Sequence, residues 1–224
     1  MDLFDIIGPV MIGPSSSHTA GAARIGLVAR RLLGQEPVRC EIRLHGSFAE
    51  TCRGHGTDRA LAAGLLGMQV DDPRLRDSLK IAREQGLEVT FQKVEIPDAH
   101  PNTAVLSLTG REGGKLEMRA SSVGGGNIRI DGIDDMAVSF RAGSGNMLVV
   151  RHRDQPGVIA RVSTAIAQSR VNIATMQVFR SCEGGQALMV IEMENDEEIP
   201  FFVSTQDLID LLENCRRAPQ QFTK

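Results

Sequence analysis

The chain has 224 residues, with 25 Lys and Arg against 28 Asp and Glu, a formal charge of −3. A near-neutral chain is not a general nucleic-acid binder, which needs a dense positive surface to displace counterions, and the lack of Trp and Tyr removes the usual stacking platforms for single strands. Its 42% hydrophobic and 24% charged residues suffice for a folded core, as one large domain or two small ones.

Behind the 15–19 run, Ala22, Ile25, Ala29, Leu32 and Leu33 recur at helical spacing, with Ser and Thr at hand as caps. Val38, Cys40, Ile42 and Leu44 alternate with Arg39, Glu41 and Arg43, the pattern of a half-buried strand. Thr57 or Asp58 caps a second helix over 59–66, and Pro73 opens a third that Gly86 ends. Short strand patterns follow at 87–94, 103–108, 115–120, 127–130 and 137–140. Ala142-Gly143-Ser144-Gly145-Asn146 punctuates two apolar stretches and reads as a linker. Beyond it, 147–152 is a buried strand, and Pro156-Gly157 opens a helix carrying Val158, Ile159, Val162, Ala165 and Ile166. Two strands at 173–179 and 187–193 flank the Gly184-Gly185 turn, and a last helix covers about 205–214. The predicted class is α+β. Helices pack on a mainly antiparallel sheet over 1–143, and a ferredoxin-like β-α-β-β-α unit lacking its final strand follows over 147–224.

Cys40, Cys52, Cys182 and Cys215 never fall in a C-x-x-C pair. They read as free thiols in a reducing compartment and give no clustered ligand set for a metal held by this chain alone. Residues 1–17 lack a basic n-region and are broken by Gly and Pro, so no signal peptide is expected. No apolar run approaches the roughly 20 residues that span a bilayer. The expected location is the cytoplasm, with neither nucleic acid nor membrane as partner.

Candidate chemistry sits in three places. In Ser15-Ser16-Ser17-His18-Thr19, three hydroxyls and an imidazole precede a helix, whose free N–H groups and positive end favour a carboxylate or phosphate. Read alone, the run fits a capped helix with surplus serines equally well. Around Gly54-His55-Gly56-Thr57-Asp58, glycines on both sides of the histidine let a ligand approach, although a merely exposed turn would look the same. In His100-Pro101-Asn102-Thr103, proline holds His100 extended and Asn102 can donate and accept, as in many ordinary turns. Ser122-Val123-Gly124-Gly125-Gly126-Asn127 is either a bulge or a backbone wall against a ligand. Imidazoles exchange protons near neutral pH, so the set suits a small amino or hydroxy acid.

The run from Ile7 to Thr19 closely resembles the start of the β chain of bacterial iron–sulfur-dependent L-serine dehydratase, the two-subunit type. Gly46-Ser47-Phe48-Ala49-Glu50-Thr51, Gly54-His55-Gly56-Thr57-Asp58, His100-Pro101-Asn102-Thr103 and Ser122-Val123-Gly124-Gly125-Gly126 continue the likeness in order. The second half resembles an ACT domain, with Asp154-Gln155-Pro156-Gly157-Val158 as its first loop and Val171-Asn172-Ile173 opening its second strand. The first domain also resembles one found in some phosphoglycerate dehydrogenases. The family resemblance implies deamination of L-serine to pyruvate and ammonia without pyridoxal phosphate, within amino-acid degradation and gluconeogenesis. It implies a [4Fe-4S] cluster acting as Lewis acid on the substrate hydroxyl, held by a separate α chain in a heterodimer.

By the same resemblance, His55 and His100 are the proton-transfer residues. Ser15, Ser16, Ser17, His18, Thr19, Gly54, Thr57, Asp58 and Asn102 are the substrate-binding set. Asp154, Gly157, Val158 and Asn172 are the amino-acid ligands of a self-associating ACT module. An ACT domain normally ends in a helix and a fourth strand, whereas here 197–204 is an extra segment and 218–224 has little strand character. The rival class is a non-catalytic amino-acid-binding regulatory protein, against which stand His18, His55 and His100, since a pure sensor needs no proton-transfer groups.

Overall fold

The computed structural model describes residues 11, 13, 15–142, 146–194 and 202–204. The chain divides into two compact units, Met1–Gly143 and Ser144–Lys224. The expected linker at 143–145, the last helix at 205–214 and the tail beyond it lie outside the described residues.

In the first unit a π-helical turn, Ser16–Gly21, runs into α1 (Ala22–Leu33). Gly34, at φ 71°, ends α1 by donating its N–H to the carbonyls of Arg30 and Arg31. Next come β1 (Pro37–Leu44), the one-turn α2 (Ser47–Glu50) and α3 (Thr57–Leu65). A 3-10 turn at Pro73–Asp77 then leads into α4 (Ser78–Glu84). The single helix expected after Pro73 is therefore split in two, with the Asp72 side chain capping the first part. The five strands that follow are β2 (Glu88–Lys93), β3 (Thr103–Gly110), β4 (Lys115–Gly124), β5 (Asn127–Ile133) and β6 (Met136–Ala142).

The sheet order is β2-β1-β3-β4-β5-β6. All neighbours are antiparallel except β2, which pairs parallel to β1 after the helical crossover. Strand β4 outruns the expected 115–120 because Ser121 and Ser122 are buried in it, so the apolar alternation stops before the strand does. Its burial, like that of β6, alternates along most of its length, as in a sheet with one face packed and one in water.

Helix α1 packs on β3, β4 and β5 and against α3. It buries Ala22, Ala23, Ile25, Gly26, Val28, Ala29 and Leu32. The α1–α3 contact is backbone against backbone. A Cβ at Gly26 would strike the Leu61 carbonyl, and one at Gly64 would strike the Ala23 carbonyl.

The second unit has the order β7 (Asn146–Arg153), α5 (Val158–Gln168), β8 (Asn172–Arg180), β9 (Gln186–Glu194) and β10 (Phe202–Ser204). Its sheet runs β10-β7-β9-β8. Val162 and Ile166 of α5 pack on Leu148, Val150, Met189 and Ile191. The fourth place in this sheet is filled, which the sequence reading did not expect. Residues 202–204 take it, pairing parallel with β7 and preceding the expected helix instead of following it. This strand therefore runs in the direction opposite to that of a ferredoxin-like fourth strand. No helix among the described residues is long and apolar enough to cross a membrane.

Overpacking this close a helix crossing costs about 1–3 kcal/mol. Gly64→Ala is therefore expected to lower stability by that amount, read as a reduced unfolding midpoint in denaturant with an unchanged slope.

Candidate active site

Strand β1 ends at Leu44, β3 begins at Thr103, and β4 runs out through Ser121 and Ser122. The register sets Leu44 opposite Ala104 and Thr103 opposite Ser121, so these three strand ends lie side by side. Their loops are tied together. Phe48 N–H donates to the Pro101 carbonyl at 3.4 Å, His45 N–H to Thr103 at 3.0 Å, and Ser122 N–H to Asn102 at 3.0 Å. Gly46, at φ 56°, lies so close that a Cβ would sit 2.7 Å from the Pro101 oxygen.

The serine run reaches the same sheet end. Ser15 Oγ accepts the His18 N–H at 3.1 Å, and the Ser15 carbonyl accepts the Thr19 N–H at 2.9 Å. These two amides, expected to be free for an anion, are used by Ser15 itself. His18 Nε2 lies 3.0 Å from Ser47 Oγ. Its ring meets Phe48 edge-on at 5.3 Å and the His55 ring at 5.0 Å, centroid to centroid. Gly21 fits beneath Ser122 with no room for a Cβ.

The three histidines differ in setting. His18 is half-buried, and burial first, then the charge of nearby His55, lower its pKa below the ordinary imidazole value, while the hydrogen bond at Ser47 acts the other way. His55 is exposed in a tight turn whose amide is bonded to the Thr51 carbonyl at 3.0 Å, and Gly56, at φ 71°, leads directly into α3. His100 is half-buried, and its Nδ1 accepts the Asn102 N–H at 3.1 Å. A neutral His100 therefore carries its proton on Nε2 and presents a donor there. Its loop is anchored by hydroxyls. Thr103 Oγ1 donates to the His100 carbonyl at 2.6 Å and lies 2.8 Å from Ser121 Oγ, which donates to Asp131 at 2.6 Å.

Thr19 Oγ1, Thr57 Oγ1, Asn102 Oδ1 and Ser122 Oγ are buried without a hydrogen-bond partner. One comes from each of the four motif segments. Leaving such an atom unpaired costs roughly 1–3 kcal/mol. Gly13, Thr19, Gly54, His55 and Gly56 also share a cavity of about 290 Å3. Asp58 faces elsewhere, its Oδ1 accepting the Arg59 N–H at 2.9 Å. Among the described residues no hydrogen bond joins the His100 ring to His18 or His55. Sequence reading passed over Ser47, Ser121 and Asp131. Ser47 sits inside a quoted motif, but Asp131 reaches the site only through the β4–β5 pairing, which no local pattern signals.

The described cysteines do not fit an iron–sulfur cluster. Cys40 is buried, and burial first, then Glu41, pushes its thiol far up. Burial likewise raises Cys52, and Cys182 belongs to the other unit. No three His, Cys, Asp or Glu among the described residues gather as metal ligands.

In the second unit, Asp154 Oδ2 accepts from the Gly184 N–H at 3.2 Å and from Arg180 at 3.1 Å. These two partners, in that order, hold its carboxyl below the usual carboxylate range. Gly157, at φ 87°, precedes Val158 at the start of α5. Arg153 pairs with Gln186 and Arg180 with Ala187, whereas Asn172 pairs with Glu194. Asn172 therefore stands at the other end of the sheet, roughly 25 Å from Asp154 at about 3.3 Å per residue. The four expected ACT ligands do not form one site within a single unit, because β8 separates them along its whole length. His152, missed in the sequence, is buried beside Asp154. Its Nδ1 lies 2.8 Å from the Arg153 carbonyl, and its Nε2 has no partner.

The class so defined is an α+β domain with histidine- and hydroxyl-bearing loops at one sheet end, followed by a second unit with a ferredoxin-like β-α-β-β core. Residues 1–132 match the family model described as serine dehydratase beta chain, and residues 146–200 match the ACT domain model. The chain belongs to the serine dehydratase beta chain family. It is 45% identical to a probable L-serine dehydratase beta chain of Bacillus subtilis, over 87% of each chain. It is 36% identical to the L-serine dehydratase beta chain of Peptoniphilus asaccharolyticus, over 85% of this chain and 86% of that one. A D-3-phosphoglycerate dehydrogenase of Synechocystis is 27% identical over 78% of this chain, a match that takes up 31% of the dehydrogenase.

The lowered pKa of His18 gives a measurable sign. Its ring is expected to titrate by NMR below the ordinary histidine midpoint of about 6.5, and His55→Ala should move that midpoint up by removing the repulsion. Because the folded value lies below the unfolded one, the stability contributed by neutral His18 is fully present above the unfolded value of about 6.5 and is lost as pH falls from there through the folded value.

Proposed function

We propose that this chain is the β subunit of a cytoplasmic L-serine ammonia-lyase that converts L-serine to pyruvate and ammonia without pyridoxal phosphate. It works with a separate α chain, which carries the [4Fe-4S] cluster. The observation that carries this reading is the 5.0 Å approach of the His18 and His55 rings beside Ser47, with buried, unpartnered hydroxyls at Thr19 and Thr57 in the same two motif segments. The family membership and the relatives named L-serine dehydratase beta chain support it. The lack of any C-x-x-C pair in the sequence, and of a clustered ligand set among the described residues, supports a cluster held outside this chain.

Loss of ammonia from serine begins with removal of the α-proton and departure of the β-hydroxyl, and this chain's part is to bind the substrate and move protons. His55, exposed beside glycines, is the base for the carbon-bound proton. His18 is kept neutral by burial and by its neighbour, and it positions the His55 turn and Ser47. His100, with Nδ1 engaged by Asn102, donates from Nε2 to a substrate oxygen. The likeness to a segment of D-3-phosphoglycerate dehydrogenase favours the rival reading, a regulatory binder without chemistry. Kinetics of the two-chain enzyme, with cluster content checked in each variant, separate the two. His55→Ala and His100→Ala should each lower kcat by about 100- to 10,000-fold, and near-normal kcat in both would leave the domain a binding role.

The ACT unit senses amino acid as a pair of units. Strand β8 is an edge strand, and antiparallel pairing of two copies about Met176 sets Asn172 of one copy opposite Arg180 of the other. That brings Asn172 to the Asp154–Val158 loop and to the unpartnered His152 Nε2 of the second copy. Millimolar L-serine is expected to raise the unfolding temperature of the full chain, and Asn172→Ala should abolish the rise while His55→Ala keeps it. A wild-type protein with no shift would count against sensing.

A further inference from the structure

Beside His55 stand three arginines to which the motif reading gave no role. The cavity that holds Thr19 and His55 is also lined by Arg53, Arg59 and Arg76. Arg53 and Arg59 flank the glycine-bracketed histidine turn, and Arg76 arrives from the 3-10 turn before α4. All three are exposed, and among the described residues none has a carboxylate within salt-bridge distance, whereas Arg39, Arg43, Arg74 and Arg129 are each paired. Asp58, the nearest acid in sequence, accepts the Arg59 amide and lines a neighbouring cavity that Arg53 and Arg59 also border, whereas no acid lines the His55 cavity itself among the described residues.

Cations that converge on one concavity without a counter-charge repel one another, and an anion relieves the repulsion while accepting their directed N–H groups. A buried residue with an unsatisfied hydroxyl borders the same space. Thr19 lines it, is only 2% exposed, and leaves Oγ1 unpartnered. Gly13 lies so close over this side chain that a Cβ would fall 2.5 Å from Oγ1. A volume of about 290 Å3 sits at the small end of ligand pockets, fit for a small amino acid and too small for a nucleotide.

We propose that Arg53, Arg59 and Arg76, together with the Thr19 hydroxyl, form the anion-recognition side of the His55 pocket and take the carboxylate of the amino-acid substrate. This rests on the reading of the His55 site as serine-deaminating. It moves the carboxylate from the backbone amides of the serine run, two of which Ser15 already occupies, to the guanidinium groups facing the histidine turn. The arginines then fix which end of the substrate faces away from the base.

The test is steady-state kinetics with L-serine on the two-chain holoenzyme, with cluster content and α-chain association checked for every variant. Arg53→Gln, Arg59→Gln and Arg76→Gln are exposed changes that leave the core untouched. Each is expected to raise KM about tenfold or more with kcat within about threefold, because charged contacts made equally in ground and transition states act on KM. The matching lysine variants should recover part of the loss, since charge remains and the bidentate fork does not. Unchanged KM in all three, with His55→Ala still inactive, would overturn the arginine site and leave the deaminating reading standing. Full turnover by His55→Ala would overturn that reading and this proposal with it. Loss of α-chain binding in the glutamine variants, at unchanged KM in whatever complex remains, would make the arginines a docking surface and overturn the proposal as well.

Discussion

The backbone contact of α1 with α3 at Gly26 and Gly64 is the constraint on which the site depends. His18 is carried on the turn entering α1, and His55 on the turn entering α3. Helices held apart by ordinary side chains would cross at about 8–10 Å. Here the missing Cβ atoms let them close further, and the entering turns come within ring contact of each other. The small residues of α3, Ala60, Ala62, Ala63 and Gly64, are thus part of the site's geometry even though none touches a ligand.

Much of the first unit was legible because its strands have one wet face. The Val38-to-Leu44 alternation marks β1 directly, and the capped, periodic segments mark α1 and α3. The parallel pairing of β2 was not legible, since pairing direction is set by the crossover and not by the strand's own pattern. The end of β4 was hidden for a different reason. Ser121 and Ser122 are buried polar residues whose place in a strand is decided by Thr103, Asp131 and Gly21 from elsewhere in the chain. The motif residues could be picked out in the sequence, but their division of labour could not. Three histidines in three glycine- or proline-marked loops look alike, and only the bonds at Nδ1 of His100 and Nε2 of His18 distinguish a fixed donor from a packed neutral ring. In the second unit the two candidate ligand segments were both visible, yet nothing local says that nine residues of strand hold them apart.

Stability and function pull in opposite directions at this sheet end. Buried oxygens without partners and converging arginines each weaken the isolated fold, and the alanine-rich helix contact and the long antiparallel sheet offset them. Asp154 does the reverse in the second unit. It is tied to the Gly184 turn and Arg180, which makes it a clamp between two loops.

The π-helical turn at Ser16–Gly21 makes the length of the serine run as binding as its composition. A π turn holds one more residue than the α turn it replaces. Removing one residue between Ser15 and α1 would let the turn relax to α geometry and swing everything before it by about 100° around the helix axis. His18 would then leave Ser47, and the Ser15 cap would face a different amide. Insertions and deletions are therefore barred from this run, in register as much as in sequence.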